Sequence, residues 1–251
     1  MADPGTYLPI APVAPGLVRG RSVYDGYQRG WGLAHTDLRA KIQADLDYLR
    51  GTELAIYRTA IEPDRLMNLF MLIKFFLPRL PFGHIFEFGT YKAGTALFMA
   101  SIAAKFAPGA VVYALDTFEG MPATDKTVDA HGPGNFGDTS LEAVEAARAE
   151  AGLTNLRFVK GVFSHTAETT LAKAGAVALA HIDCDLYEPV AFCYRALKPY
   201  MVRGGYYVFD DANAPSCVGA TQAVEESVIQ QDRLLSEQVF PHYVFRAGID
   251  R

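Results

Sequence analysis

Five short apolar runs, each followed by a stretch with helical periodicity, constrain this chain more than any other feature. The runs are HIFEF at 84–88, VVYAL at 111–115, LRFVKG at 156–161, VALAHID at 177–183, and the segment from Gly205 to Phe209. Helices are expected over 94–106, 140–151, 166–173, 188–197 and 218–231, with Thr139 or Ser140 capping the second of them. Alternation of this kind builds an α/β fold around a parallel, doubly wound sheet. Right-handed crossovers then carry all five strand C-termini to one edge, where ligands bind in such folds. Further strand-like pieces lie near 234–240 and 242–247.

Two helices are expected before the alternation. One spans Thr36 to Arg50, with Leu38, Ile42, Leu46 and Leu49 at helical spacing. The other spans Glu62 to Leu77, with Pro63 in its first turn and Pro78 and Pro81 ending it. Residues 1–35 are rich in proline, glycine and aromatics and read as an irregular arm that docks on a second subunit or at the mouth of a site. The rest, 36–251, reads as one domain; half the residues are hydrophobic, enough for a buried sheet with helices on both faces.

Several function classes are disfavoured at this level. A net charge of -5 and no run of like charges argue against nucleic acid as a partner. The most apolar stretch, Leu66 to Leu80, carries Asn68, Lys74 and Arg79 and is too short to span a membrane. The N-terminus has no secretion-signal pattern. Cys184, Cys193 and Cys217 are an odd set without metal-type spacing, which fits a reducing, cytoplasmic compartment.

Three motifs sit at the expected ligand edge. The first is the turn Glu87-Phe88-Gly89-Thr90-Tyr91-Lys92-Ala93-Gly94-Thr95. Its glycines allow a sharp turn and close approach of a ligand, and the helix it opens offers free N–H groups. Tyr91 occupies the place where a dinucleotide fingerprint has glycine, which disfavours an NAD-dependent oxidoreductase. Glu87 is a candidate to hold a cationic or amine-bearing ligand. The second motif is Asp116, at the end of the second run, a position where an acid accepts hydrogen bonds from ribose hydroxyls. The third is Asp183-Cys184-Asp185 with Asp210-Asp211, four carboxylates at two strand ends. Acids crowded this way repel one another unless a cation neutralises them, and an oxygen-only set suits Mg²⁺, Mn²⁺ or Ca²⁺ rather than Zn²⁺. Some of the four would otherwise cap helices.

LDTFEGMP (115–122), GDTSLE (137–142), VKGVF (159–163), HIDCDLYEP (181–189) and GGYYVFDD (204–211) follow one another in the order and spacing of one family. Over roughly residues 52–230 the chain resembles the macrocin O-methyltransferases, metal-dependent sugar O-methyltransferases that use S-adenosylmethionine. The resemblance implies a Rossmann-like class I methyltransferase fold with a mostly parallel seven-stranded sheet. By the same resemblance Asp183, Asp210 and Asp211 would ligate Mg²⁺ and Asp185 would be the general base, with Asp183 close enough to share in catalysis and in cofactor contact. S-adenosylmethionine would lie against Glu87, Gly89, Thr90, Tyr91, Gly94, Thr95, Asp116, Thr117 and Gly161, with Phe118, Val162 and Phe163 forming an adenine wall or simply packing the core. Tyr57, Arg65, His131, Asp138 and Tyr187 are candidates for the acceptor side. Asp138 and Thr139 also read as helix caps, and His181 as a supporting core histidine. His131 lies in a loop, 119–139, whose Gly132, Pro133, Gly134 and Gly137 suit a lid. The acceptor would be a small hydroxylated molecule, and family habit implies a homodimer or larger assembly.

The sequence departs from the family at Ala212–Cys217, where an aromatic, glycine-rich turn is usual, and at Val162, where many relatives carry Trp. Both lie on substrate-facing parts. A catechol-type O-methyltransferase, with the metal gripping two phenolic oxygens, is the nearest rival reading. A non-catalytic binder of the same fold is another, against which the intact four-acid cluster speaks.

Overall fold

A computed structural model of the protein describes residues 36–248, together with a two-residue antiparallel pairing of Leu17–Val18 with Arg21–Ser22. The expectations for the rest of the N-terminal arm fall outside the described residues.

The main sheet has six strands among the described residues: β1 His84–Phe88, β2 Val112–Asp116, β3 Leu156–Lys160, β4 Val177–Ile182, β5 Met201–Phe209 and β6 Tyr243–Arg246. Their spatial order is β3-β2-β1-β4-β5-β6. The first five are parallel; β6 runs antiparallel against β5, with Tyr207 opposite Phe245. The strands interleave with helices α1 Thr36–Gln43, α2 Leu46–Ala55, α3 Pro63–Met71, α4 Gly94–Phe106, α5 Leu141–Glu150, α6 Phe163–Ala174, α7 Tyr187–Leu197 and α8 Val218–Ala223. The five parallel strands are those read from the sequence, and β4 is buried at every position, as a parallel strand covered on both faces must be.

Strand periodicity divides the core into two. Ile85, Val112, Ala114, Leu179 and Val208 face one side, packing with Phe70 of α3 and Phe98 of α4. Phe86, Phe88, Leu115, Ala180 and Phe209 face the other, packing with Leu171, Tyr194 and Val228. On the first side Tyr48 stands edge-on to both Phe70 and Phe98, with ring centroids 5.5 and 5.8 Å away. This contact ties the N-terminal helices to the sheet.

Four local features differ from expectation. The helix expected over 36–50 is two helices, because Asp45 takes an extended conformation and its side chain accepts the Asp47 N–H, capping α2. The helix expected over 62–77 is α-helical only to Met71; a π-helical turn, Leu72–Phe76, and a tight turn at Leu77–Arg79 containing Pro78 finish it. The helix expected over 218–231 widens likewise to a π-helix at Val224–Gln231. The seventh strand is reduced to one bridge, Gln238 opposite Val244. Pro241, which has no amide donor, stands between Gln238 and β6. No helix among the described residues is long and apolar enough to cross a membrane.

His84 at the head of β1 accepts the Val111 N–H on Nδ1 at 3.1 Å, which only a neutral ring can do. Burial lowers its pKa from 6.5. The folded chain therefore binds fewer protons here than the unfolded one, and stability is lost as pH falls below about 6.5 toward the folded-state value. Urea midpoints measured from neutral to acid pH should fall less steeply for His84→Gln than for the wild type. Parallel curves would assign the acid sensitivity to other groups.

Candidate active site

The C-terminal edge of the parallel strands opens into a cavity of about 840 Å³. Its floor is the turn after β1. Gly89 has φ +89°, and a Cβ there would stand 1.6 Å from the Asp183 carbonyl oxygen. The turn can pass over the end of β4 only because residue 89 has no side chain. Beyond it, Tyr91 and Ala93 also take positive φ, 49° and 65°. Such conformations cost about 1–2 kcal/mol each. Asp116 offsets that cost: its Oδ2 accepts the N–H groups of Thr90 and Tyr91 at 2.7 and 2.9 Å, and its Oδ1 accepts that of Phe118 at 2.7 Å. The acid at the end of β2 thus holds the turn together and also lines the cavity.

Where α4 begins, Gly94 lies against the backbone linking α2 to α3; a Cβ would stand 2.5 Å from the Thr59 nitrogen. The Thr59 and Thr95 hydroxyls meet at 2.8 Å. Arg58 to Glu62 consequently form one wall of the cavity.

Beneath the floor runs a line of buried polar groups. Glu87 accepts the Thr90 hydroxyl at 3.0 Å and lies 3.4 Å from His181 Nδ1. The other His181 nitrogen is 3.2 Å from Asp210 Oδ1. Burial alone would keep this ring neutral, but the hydrogen bonds and charges of Asp210 and Glu87 outweigh it and raise its pKa to about 9. A doubly protonated ring donates to both carboxylates. His242 Nδ1 lies 3.3 Å from the same Asp210 oxygen, and its Nε2 is 2.7 Å from Asn68 Nδ2. Burial keeps the His242 pKa low, so its ring is neutral. Asp210 is itself pushed up by burial, yet the two histidines hold its pKa well below the ordinary carboxylate range. Its Oδ2 accepts from Arg65, which also reaches Asn213.

Above that line stand the acids. Asp183, Asp210 and Asp211 each place a carboxylate oxygen within 4.8 Å of the others. Burial, and then the neighbouring Asp210 and Asp211 charges, raise the Asp183 pKa well above its usual value. Burial and the charge of Asp185 push Asp211 up to about 8. This is an excess of negative charge with oxygen donors only, so it fits a hard divalent cation. Asp185 follows in a left-handed conformation, φ 57°, which Asp tolerates better than most residues. Its N–H donates to Asp211 Oδ2 at 2.9 Å, and its carboxylate lines the cavity.

Of the residues singled out from the sequence, Gly89, Thr90, Tyr91, Thr95, Asp116, Thr117, Val162 and Phe163 line this cavity, as do Arg65, His131 and the four aspartates. Others do not. Glu87 is fully buried below the turn and does not line the cavity. Phe118 packs edge-on against Phe158 in the core. Gly94 and Gly161 serve the backbone: the Gly161 N–H donates to the Asp116 carbonyl. Tyr57 is 91% exposed and does not line the cavity. Asp138 pairs with Lys92 at the surface, and Ser140, not Asp138 or Thr139, caps α5. Thr139 instead donates to the Tyr91 carbonyl. The Tyr187 hydroxyl donates to Glu226 at 2.6 Å, outside the cavity. Residues the sequence reading missed include Phe136, Cys217 and the Phe240-Pro241 pair, all in the cavity wall.

A parallel sheet of this order, with its glycine turn after β1 and its acid after β2, defines the class I methyltransferase fold. Solved structures share it. CalS11, a calicheamicin methyltransferase, superposes with a TM-score of 0.62 at 22% identity, covering 80% of this chain and 91% of that one. An S-adenosylhomocysteine-bound methyltransferase of Podospora anserina, PaMTH1, gives a TM-score of 0.56 at 13% identity, covering 86% and 97%. The model of the macrocin O-methyltransferase (TylF) family matches residues 53–234, so the chain belongs to that family of O-methyltransferases and is an enzyme. A curated relative from Streptomyces olivaceus, the 8-demethyl-8-(2,3-dimethoxy-alpha-L-rhamnosyl)-tetracenomycin-C 4'-O-methyltransferase, is 28% identical over 173 residues. That match spans 65% of this chain and 66% of the relative's length.

The Gly89 contact generates a direct prediction. Gly89→Ala should lower stability by more than about 3 kcal/mol, because a Cβ must displace the Asp183 backbone and φ must stay positive. Thermal and urea unfolding would show it; a wild-type melting curve would mean that the turn and β4 separate at little cost.

Proposed function

We propose that this enzyme transfers the methyl group of S-adenosylmethionine to a hydroxyl of a sugar carried by a natural product, with a divalent cation held by Asp183, Asp210 and Asp211. The observation that carries this reading is the meeting of those three carboxylates on the cavity wall beside Asp185. The S. olivaceus relative is named for a rhamnosyl substrate and PaMTH1 was solved with S-adenosylhomocysteine, which supports both the acceptor class and the cofactor. The walls near the acids carry Glu62, Arg65, Asn213 and Ser216, groups suited to a polyol more than to a flat catechol ring.

The residues divide the work. The bare backbone at Gly89 and the helix start behind it receive the amino acid end of the cofactor. Asp116 lines the cavity with acceptor capacity left for a ribose hydroxyl, since a carboxylate has about four acceptor sites. Val162 and Phe163 flank the adenine. A bound divalent cation supplies the lowering of an acceptor hydroxyl's pKa. Asp185 takes the hydroxyl proton at its carboxylate. His181 and His242 keep Asp210 ionised, and Arg65 offsets part of the cluster's charge. Holding the acceptor oxygen in line with the methyl carbon and departing sulfur contributes much of the acceleration.

Calorimetry with S-adenosylmethionine and separately with NAD, with and without Mg²⁺, tests the cofactor: only S-adenosylmethionine should bind. Asp183→Asn should retain that binding and lose Mg²⁺ binding. Its turnover of rhamnosylated acceptors should fall by at least about 100-fold. Wild-type turnover in Asp183→Asn would refute the metal reading, and faster methylation of catechols than of sugars would refute the acceptor class.

A further inference from the structure

A second cluster sits beside the acids and has a different chemistry. Cys217, from the segment before α8, places Sγ 3.2 Å from Asp185 Oδ1. His131, from the loop between β2 and α5, places Nε2 3.7 Å from that sulfur and 3.8 Å from the same Asp185 oxygen. The three side chains come from three separate elements, and all face the cavity. Cys217 is 3% exposed, so its sulfur is withheld from bulk solvent while open to the cavity.

The triangle of donor atoms has the dimensions of one face of a tetrahedral zinc site. With Zn–S about 2.3 Å, Zn–N about 2.0–2.1 Å and Zn–O about 2.0–2.2 Å, tetrahedral angles separate the ligand atoms by about 3.3–3.6 Å. The observed separations, 3.2, 3.7 and 3.8 Å, match within about 0.5 Å. Sulfur and imidazole donors select a borderline-soft ion and are poor ligands for Mg²⁺, so the two neighbouring clusters differ in which cation each prefers. All three donors line the cavity, so a fourth ligand would come from water or the acceptor there.

We propose that His131, Asp185 and Cys217 form a Zn²⁺ site, separate from the Asp183–Asp210–Asp211 cluster, whose occupation switches the enzyme off. The inhibition, though not the binding, rests on the reading of Asp185 as the base. The ion binds His131 through Nε2 and Asp185 through its carboxylate, and replaces the proton of the Cys217 thiol, which passes to solvent. Asp185 then cannot accept the acceptor's proton. His131 is held in place at the same time, and with it the loop that carries it.

Cobalt reports the site without turnover. The full chain, chelated free of metal and held in excess Mg²⁺ to saturate the oxygen cluster, is titrated with Co²⁺. A thiolate-to-cobalt charge-transfer band with tetrahedral visible bands is expected, and Zn²⁺ should displace both. Cys217→Ser should abolish the charge-transfer band, and His131→Gln should weaken Co²⁺ binding by at least about tenfold. No band in the wild type, or a band unchanged in Cys217→Ser or in His131→Gln, would overturn the site. Methyl transfer is then measured against Zn²⁺. Each variant is referred to its own zinc-free rate, and Cys217→Ser should need at least about tenfold more Zn²⁺ for half inhibition. Zinc bound by the spectroscopic criterion with turnover intact would leave the site standing and overturn both the switch and the role of Asp185 as base.

Discussion

A line of buried charge across the sheet is the constraint on which the site depends. Glu87 on β1, His181 on β4 and Asp210 at the end of β5 are neighbours because the parallel register places Glu87 beside His181 and Ile182 beside Phe209, one residue before Asp210. Each is essentially excluded from water. A carboxylate or imidazolium in such surroundings costs several kcal/mol unless every partner is in place. Removing one would leave an uncompensated charge in the core, so the three strands and the His242 segment are held to one mutual alignment. That alignment fixes where Asp210 points, and Asp183 and Asp211 are arranged around it. The acids at the cavity edge are therefore positioned from below, by Glu87, His181 and His242, which do not line the cavity.

Much of the fold is visible in the sequence because parallel strands advertise themselves: HIFEF and VALAHI are too apolar to lie anywhere but between two helical layers. The same logic places Gly89, Asp116, Asp183 and Asp210 on one edge, since each ends or follows a strand. What strand ends do not reveal is which way a side chain turns. Glu87 stands two residues before Gly89, and its inward orientation depends on pairing with His181, 94 residues away. Tyr57 and Tyr187 have hydroxyls that suit an acceptor, but one lies outside the cavity in a left-handed turn and the other is tied to Glu226. The reduction of the seventh strand to one bridge and the π-helical turns are backbone details of which periodicity gives little warning.

The neighbourhood of Cys217 shows the limit most clearly. In sequence the cysteines have no spacing that suggests a ligand set, and His131 is one polar residue in a glycine-rich loop. Only the folded course of that loop brings them together. Its Asp129 accepts the Tyr187 N–H at 2.9 Å, and Phe136 stands edge-on to Tyr91 at 5.4 Å. Such contacts link residues 45 to 58 positions apart and leave no local trace.

The hydrogen bonds from Thr90, Tyr91 and Phe118 to Asp116 have a consequence for recognition. A glycine turn without them would sample many shapes and would have to surrender that freedom on meeting its ligand. Here the turn loses its conformational entropy when the chain folds, because the acid that lines the pocket is also the clamp that shapes it. Encounter with the cofactor then requires little further ordering of this segment. Selectivity at this end of the cavity is accordingly that of a rigid mould.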